Sequence, residues 1–406
     1  MISLAEAFEL IDTHISRVSP ADETIPVNKA VNRLLVKDQN SKLDLPPFDR
    51  ALCDGYVISD GDKSDNYKLR GEVLPGTTTR KRLTPGSAFQ VAAGSALPSG
   101  SNCVIPTKNV EVDGETVKVL KMPGDCNISR KASDIKKGER VLTPGEIGAV
   151  EVGNLIACGI TEIPVRRRLK IAIISTGDEL VDTPDELEKG KVINVNGPMI
   201  SALAEEYDVD VVQQKTVKDD LDLTTRAIKG ACKKADIIVI SGGISSGTSD
   251  FVPEALAKSG FEMHFNNVAL KPGKNTLFAA LNSCFAFGLP GNSVSAYIAF
   301  HLFVVRAINW LNGFMPDSPE VVEHDYYRLR LFRDFEREDA ERVEYVPARV
   351  SAWPVNTDGD CEMEVEPVEY HGAGHLAALS EAIGFFVVPE GVHRIQAGED
   401  VVFTTF

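Results

Sequence analysis

Between residues 169 and 311 the chain alternates short, wholly apolar runs with amphipathic ones, and this alternation restricts the fold more than any other feature. LKIAIIST (169–176), VDVVQQKTV (209–217), ADIIVI (235–240) and CFAFGL (284–289) read as strands. VNGPMISALAEEY, DLTTRAIKGACKKA, residues 251–258 and SVSAYIAFHLFVVRAINWL read as helices between and after them. Strands that are apolar on both faces must be covered on both faces, so the pattern predicts a doubly wound α/β domain over 165–315. In such a fold the ligand sits beyond the C-terminal ends of the strands, where the connecting loops share one rim.

The flanking segments obey other rules. Ser3-Leu4-Ala5-Glu6 is a capping box, followed by apolar residues at helical spacing up to Pro20, so the chain opens with a helix. Short apolar pieces cut by turn signals between 44 and 123 predict an inserted β module, with VEVDGETVKV as a hairpin on Asp113-Gly114. Residues 1–43 and 124–164 are expected to form an elongated N-terminal domain of mixed helical and extended character. Beyond Pro316 the strands shorten again, predicting a C-terminal β-barrel-like domain over 316–406. The fold class expected is therefore multidomain, α/β plus β.

Charge and cysteine usage exclude several functions. With 43 basic against 59 acidic residues the net charge is -16, which repels polyanions and argues against general nucleic-acid binding. No apolar stretch suggests a membrane-spanning helix, and MISLAEAFELIDTH carries acids where a signal peptide carries lysines, so a cytoplasmic location is expected. Seven scattered cysteines without a C-x-x-C pair indicate neither a disulfide framework nor a cysteine zinc site. His371 and His375 stand four apart, but the glycines between them disfavour a helical zinc pair.

Chemistry is concentrated in loops at the predicted strand ends. SGGISSGTSD (241–250) fits a G-x-S-x-G nucleophile elbow at Ser245, or a glycine loop whose amides face a phosphate while Asp250 serves a metal. As a bland alternative it is a strand-to-helix connector. An elbow needs its helix directly after the serine, whereas Gly247-Thr248-Ser249 precede the point where Asp250 can cap one, so the phosphate reading is preferred. STGDEL (175–180), Lys218-Asp219-Asp220 and GLPGNS (288–293) supply acids and a helix start with exposed amides. Lys271-Pro272-Gly273-Lys274 places two ammonium groups on one turn. If one rim gathers these loops, Glu179, Asp219 and Asp250 can hold a hard cation, magnesium being the natural choice beside phosphate oxygens.

PPFDRALCDGY, PGSAFQVAAGSALPSGSNCVI, SDIKKGERVL, STGDEL, SGGISSGTSD, VALKPGKN, GLPGNSVSA and GFFVVPEG, in this order, resemble the MoeA/gephyrin E-domain family, the molybdopterin molybdenumtransferases. The resemblance spans nearly the whole chain. It implies a MogA-like α/β domain, a homodimer whose partner completes the site, and magnesium-dependent insertion of molybdate into adenylylated molybdopterin with release of AMP. It further implies a MogA-type adenylyltransferase as a partner. Asp54, Asp134, Asp219, Asp250, Lys271 and Lys274 fall on the family's catalytic positions, and Glu179, Asp219 and Asp250 on its metal positions. Gly242, Gly243, Ser245, Gly247, Pro290, Gly291 and Asn292 fall on substrate-binding ones.

Several positions depart from the family pattern. Cys53 replaces Met, Ala93 replaces Thr, Asn267 replaces Lys and Ser293 replaces Pro. Pro347 and Ala373 stand where the family has the Arg and Ser suited to an oxyanion. Those losses keep open an alternative of the gephyrin type, a dimeric scaffold that binds a partner peptide. Arg342 or Arg349 could restore the missing guanidinium.

Overall fold

A computed structural model describes residues 1–59, 64–244, 250–313, 326–354 and 361–405. Ser245 and Gly247 therefore lie outside the described residues.

Strand Lys170–Thr176 pairs in parallel with Asp210–Val217 on one side and Ile237–Ser241 on the other; Ile237–Ser241 in turn pairs in parallel with Cys284–Leu289. Alternate side chains of these strands enter two different cores. Ile171, Ile173, Ile237 and Val239 face one, whereas Ala172, Ile174, Ile238 and Ile240 face the other. Helices Asn196–Glu206, Leu221–Cys232 and Val252–Lys258 contribute to these layers. This is the doubly wound arrangement that period-2 side-chain alternation requires when both faces are apolar.

Two strands were not legible in advance. Leu277–Leu281 and Glu262–Asn266 extend the sheet to six strands, and both pair antiparallel. The hairpin between Leu277–Leu281 and Cys284–Leu289 turns at Asn282, whose φ of 53° is a left-handed value that Asn tolerates well.

The last helix runs Ser293–Ala299, passes through a π-helical turn at Phe300–Val304 and continues as Val305–Asn312, ending on Gly313 at φ 90°. Contrary to the sequence expectation, the 20 residues Ser293–Asn312 are long and apolar enough to cross a membrane by length and composition. Some 83% of the apolar window is buried inside the protein, which accounts for the apolar composition as that of a core helix.

The opening helix forms as its capping box predicts, Glu6 N–H donating to Ser3 Oγ at 3.2 Å and Ser3 N–H to Glu6 Oε2 at 2.7 Å. Its placement differs from expectation. Met1–Ala21 groups with Arg167–Phe406 as one compact unit, and Asp22–Arg166 forms the other. Ala7, Phe8, Ile11 and Ile15 bury their face in the α/β core. Arg306, only 2% exposed, donates to Asp12 through Nε at 2.7 Å and Nη2 at 2.6 Å and stacks over the Phe8 ring at 4.6 Å. A charged pair inside this core is legible only once both helices are in place.

Within the unit Asp22–Arg166, Asp22–Pro26, Glu162–Arg166, Leu34–Leu35 and Gly145–Glu146 make an antiparallel sheet packed against helix Ala149–Ala157. A second sheet runs in the order Ser101–Pro106, Gly55–Ser59, Ser87–Val91, Asn66–Val73, Thr116–Val119, Val110–Asp113. Gly55 must lack a side chain, since a Cβ there would lie 2.1 Å from the Ile105 carbonyl oxygen.

Past the α/β layers, Tyr326–Leu331, Val343–Pro354, Cys361–Pro367, Gly384–Val388 and Asp400–Thr405 close into a five-stranded barrel. Leu331, Val346, Ala348, Val365, Phe386 and Phe403 fill it. The short strand Leu270–Lys271 attaches in parallel to Val343–Pro354, which sets Lys271 opposite Glu344.

Asp12→Ala leaves the Arg306 guanidinium buried without its carboxylate. The expected cost is about 3–5 kcal/mol, read as a lowered denaturant midpoint; a variant within experimental error of the parent would show that the pair does not anchor the helix.

Candidate functional site

A cavity of about 730 Å³ opens at the C-terminal ends of the parallel strands. Its walls come from the loops singled out above: Glu179, Asp219, Gly242, Gly243, Asp250, Pro290, Gly291 and Asn292 all line it. Parallel pairing is what brings them together, because each strand delivers its following loop to the same edge.

Two glycines allow the loop after Ile237–Ser241 to lie against its neighbour. Gly242 (φ 88°) and Gly243 (φ 64°) adopt left-handed backbone. A Cβ on Gly242 would stand 2.5 Å from the Thr176 carbonyl oxygen, and one on Gly243 2.6 Å from Thr176 Oγ1. Both the conformation and the close approach demand glycine. The helix that follows starts at Val252 with Phe251 as N-cap, rather than with Asp250 capping it.

The acids crowd one another. Asp219 accepts from Asp178 N–H at 3.2 Å, and Asp219 N–H donates to Asp178 Oδ1 at 3.3 Å. Burial, and then the charges of Asp178, Glu179 and Asp250, hold the Asp219 carboxyl above its ordinary value. Among the described residues, however, no three His, Cys, Asp or Glu side chains are grouped so as to hold a metal ion together. Glu179, Asp219 and Asp250, expected to share a cation, thus line one cavity without forming a single three-carboxylate cluster, because their loops bring them to the same rim at separate points.

Sequence reasoning missed the polar floor of this cavity. Asn196 opens its helix, donating from Nδ2 to Ser241 Oγ at 2.7 Å and to the Gly291 carbonyl at 2.8 Å. Since a carbonyl can only accept, these contacts orient the amide and turn Oδ1 away. Asn196 Oδ1, Ser175 Oγ and Thr176 Oγ1 are buried and without a hydrogen-bond partner among the described residues, and all three residues line the cavity. Asn194 Oδ1 accepts from Gly197 N–H at 3.0 Å and so braces the same helix start. The available signal was the asparagine pair in N-V-N-G-P ahead of a helix.

The K-P-G-K turn lines a second cavity of about 320 Å³, which shares Asn275, Pro290 and Asn292 with the first. Lys271 Nζ pairs with Glu344 at 3.1 Å, and Glu344 also meets Arg337 Nη1 at 3.3 Å. Lys274, Arg342, Tyr370 and Ala373 complete the wall. The Tyr370 hydroxyl is buried without a partner, and burial pushes its pKa up to about 12. Arg342 pairs with Asp339 at the edge of this cavity, whereas Arg349 is engaged by Glu366 at 2.7 and 2.9 Å. Of the two arginines considered in place of the one lost at Pro347, Arg342 is the one that faces the lysines. Pro347 itself lies in the barrel, paired with Phe385. The amides at the start of the last helix are partly used, Val294 N–H donating to the Ala373 carbonyl at 3.1 Å.

Asp54 and Asp134 belong to the unit Asp22–Arg166. Asp54 Oδ1 accepts from Ala93 N–H at 2.8 Å, a backbone contact that Ala makes as well as Thr would. Asp134 accepts from Ser133 Oγ at 3.0 Å, and both acids are exposed.

Comparison with known proteins agrees along the whole chain. Residues 2–159 match the MoeA N-terminal region (domain I and II), 172–310 a probable molybdopterin binding domain, and 329–406 the MoeA C-terminal region (domain IV). A molybdopterin molybdenumtransferase of Staphylococcus aureus (strain COL) is 30% identical over 395 residues, covering 94% of this chain and 91% of the relative. One from Staphylococcus epidermidis (strain ATCC 12228) is 28% identical over 415 residues, covering 99% and 96%. A crystal structure of the molybdopterin biosynthesis MoeA protein from Pyrococcus horikosii superposes with a TM-score of 0.81 at 26% identity, covering 100% of this chain and 99% of that one. By full-length sequence relationship and by fold, the chain belongs to the MoeA family.

Proposed function

We propose that this protein is a molybdopterin molybdenumtransferase, which inserts molybdate into adenylylated molybdopterin and releases AMP. The observation that carries the proposal is the pairing of two adjoining cavities, one rimmed by carboxylates and floored by unpartnered polar atoms, the other lined by Lys271, Lys274 and Arg342. The full-length relatives that bear this enzyme's name support it and do not favour the peptide-binding scaffold.

In this reading magnesium would be held by one or two of Glu179, Asp219 and Asp250, with substrate oxygens and water completing its shell, since the three acids do not group around one point. The group fits the residues, because a divalent cation relieves the repulsion that raises Asp219 and tolerates one or two protein carboxylates. When bound it neutralises charge developing on phosphate oxygens. The chain's own groups bind and orient. The bare backbone at Gly242 and Gly243 admits the diphosphate closely, and Asn196 Oδ1 with the Ser175 and Thr176 hydroxyls pairs with polar edges of the substrate. Lys271, Lys274 and Arg342 attract the oxyanion, with Arg342 supplying charge-assisted hydrogen bonds that Pro347 and Ala373 cannot. Glu344 keeps Lys271 aligned rather than free to swing. Since the substrate arrives already adenylylated, a MogA-type adenylyltransferase must precede this protein. We further propose the active form as a homodimer, with Asp54 and Asp134 contributing to the reaction.

Asp250→Ala is expected to reduce AMP release on the order of 100-fold while the thermal midpoint stays unchanged; AMP release at the parent rate would remove Asp250 from the mechanism. Arg342→Ala should weaken molybdate use about tenfold and Arg349→Ala should be silent, as measured by AMP release against molybdate concentration. Asp219→Asn tests the electrostatics. With its folded-state pKa raised, Asp219 binds its proton more tightly in the folded than in the unfolded protein, so its charge destabilises the fold once pH rises past the ordinary aspartate value. The variant should melt higher than the parent at pH 7, the difference should shrink on acidification, and activity should be lost. An unchanged or lower midpoint at pH 7 would show that burial and the neighbouring acids do not disfavour the Asp219 charge.

A further inference from the structure

Tyr370 lines the cavity of Lys271, Lys274 and Arg342, and the proposed function gives it no task. It follows the strand Cys361–Pro367, and its ring packs against both the α/β core and the small cluster of Val368, Ala378 and Ala382. The loop beyond it is pinned. Val294 N–H donates to the Ala373 carbonyl at 3.1 Å, His375 N–H to the Gly372 carbonyl at 2.9 Å and Leu376 N–H to the Gly374 carbonyl at 3.0 Å. A ring held by packing and followed by a tied loop keeps its hydroxyl at a fixed point, unlike an ammonium on a flexible four-carbon stem.

That hydroxyl is buried and has no hydrogen-bond partner among the described residues. Glu344, in the same wall, does not supply one: Oε1 is engaged by Lys271 Nζ at 3.1 Å and Oε2 by Arg337 Nη1 at 3.3 Å. Burial, and then the Glu344 charge, push the Tyr370 phenol up to about 12, so at neutral pH the group is an uncharged O–H donor. A buried donor without an acceptor, in a wall that also carries two ammonium groups and a guanidinium, calls for an acceptor oxygen brought by an anion.

We propose that Tyr370 is a further binding residue of this cavity, its hydroxyl donating to an oxygen of the oxyanion that Lys271, Lys274 and Arg342 attract, a role that rests on the reading of this cavity as the molybdate site. The cations contribute attraction with little directional demand. The phenol contributes one fixed hydrogen bond, and so sets which way the bound oxyanion faces.

Tyr370→Phe removes the oxygen and keeps the ring. Molybdate is titrated by calorimetry into the full-length parent and variant, and thermal midpoints are recorded with and without it. The variant is expected to bind molybdate about tenfold more weakly, and its molybdate-induced rise in midpoint should shrink. Its midpoint without ligand should equal or exceed the parent's, because no hydrogen bond within the protein is lost. A purely structural tyrosine gives the opposite pattern, a lower ligand-free midpoint with unaltered affinity. Equal affinities, or a ligand-free midpoint below the parent's, would overturn this role and leave the reading of the site standing, since the parent still binds. Molybdate bound by neither protein would overturn both.

Discussion

Parallel hydrogen bonding between Lys170–Thr176, Ile237–Ser241 and Cys284–Leu289 is the constraint from which the rest of the α/β unit follows. The strands are buried on both faces, so helices must cover both, and each crossover returns the chain in the same direction. The loops after the strands then have one place to go. Glu179, Asp219, Asp250 and Asn292 share a cavity for that reason, although long stretches of sequence separate them.

What collects at that edge is electrostatically unbalanced. One cavity presents acids, with Asp219 raised by burial and then by the charges of its neighbours, and the adjoining cavity presents two lysines and an arginine. Three buried polar atoms in the first cavity lack partners, and leaving such a group unsatisfied costs about 1–3 kcal/mol each. Unrelieved repulsion and unmet hydrogen bonds both destabilise the isolated protein; a bound cation relieves the first, and a ligand with acceptors for the Ser175 and Thr176 hydroxyls and an N–H or O–H donor for Asn196 Oδ1 relieves the second. This is the usual relation between a binding site and the stability of its host.

The departures from the family pattern also acquire physical content. Ala93 still contributes the backbone N–H that Asp54 accepts, so losing the threonine side chain there leaves that bond intact. Asn267 occupies a backbone position at φ 111°, which asparagine reaches more readily than most side chains. At Pro347 and Ala373 no such compensation occurs in place, and the guanidinium that lines the same cavity as Ala373 is that of Arg342. Arg349 does not line that cavity and pairs with Glu366, a partner 17 residues further along that a linear reading could not assign to it.

Local rules in the sequence were enough for the capping box at Ser3, the apolar strands, the acids and lysines in strand-end loops, and the hairpin in VEVDGETVKV, although it turns one residue later than expected, at Gly114-Glu115. Each depends on residues a few positions apart, where side-chain period and turn chemistry act directly. Tertiary structure alone decided that the opening helix joins the α/β core through Asp12 and Arg306, and that the sheet ends in two antiparallel strands. It also decided that Asn196 supplies a buried acceptor at this site, and that Glu344 pairs with Lys271. Those outcomes rest on contacts between distant segments, and a contact of that kind has no local period or propensity through which the sequence could announce it.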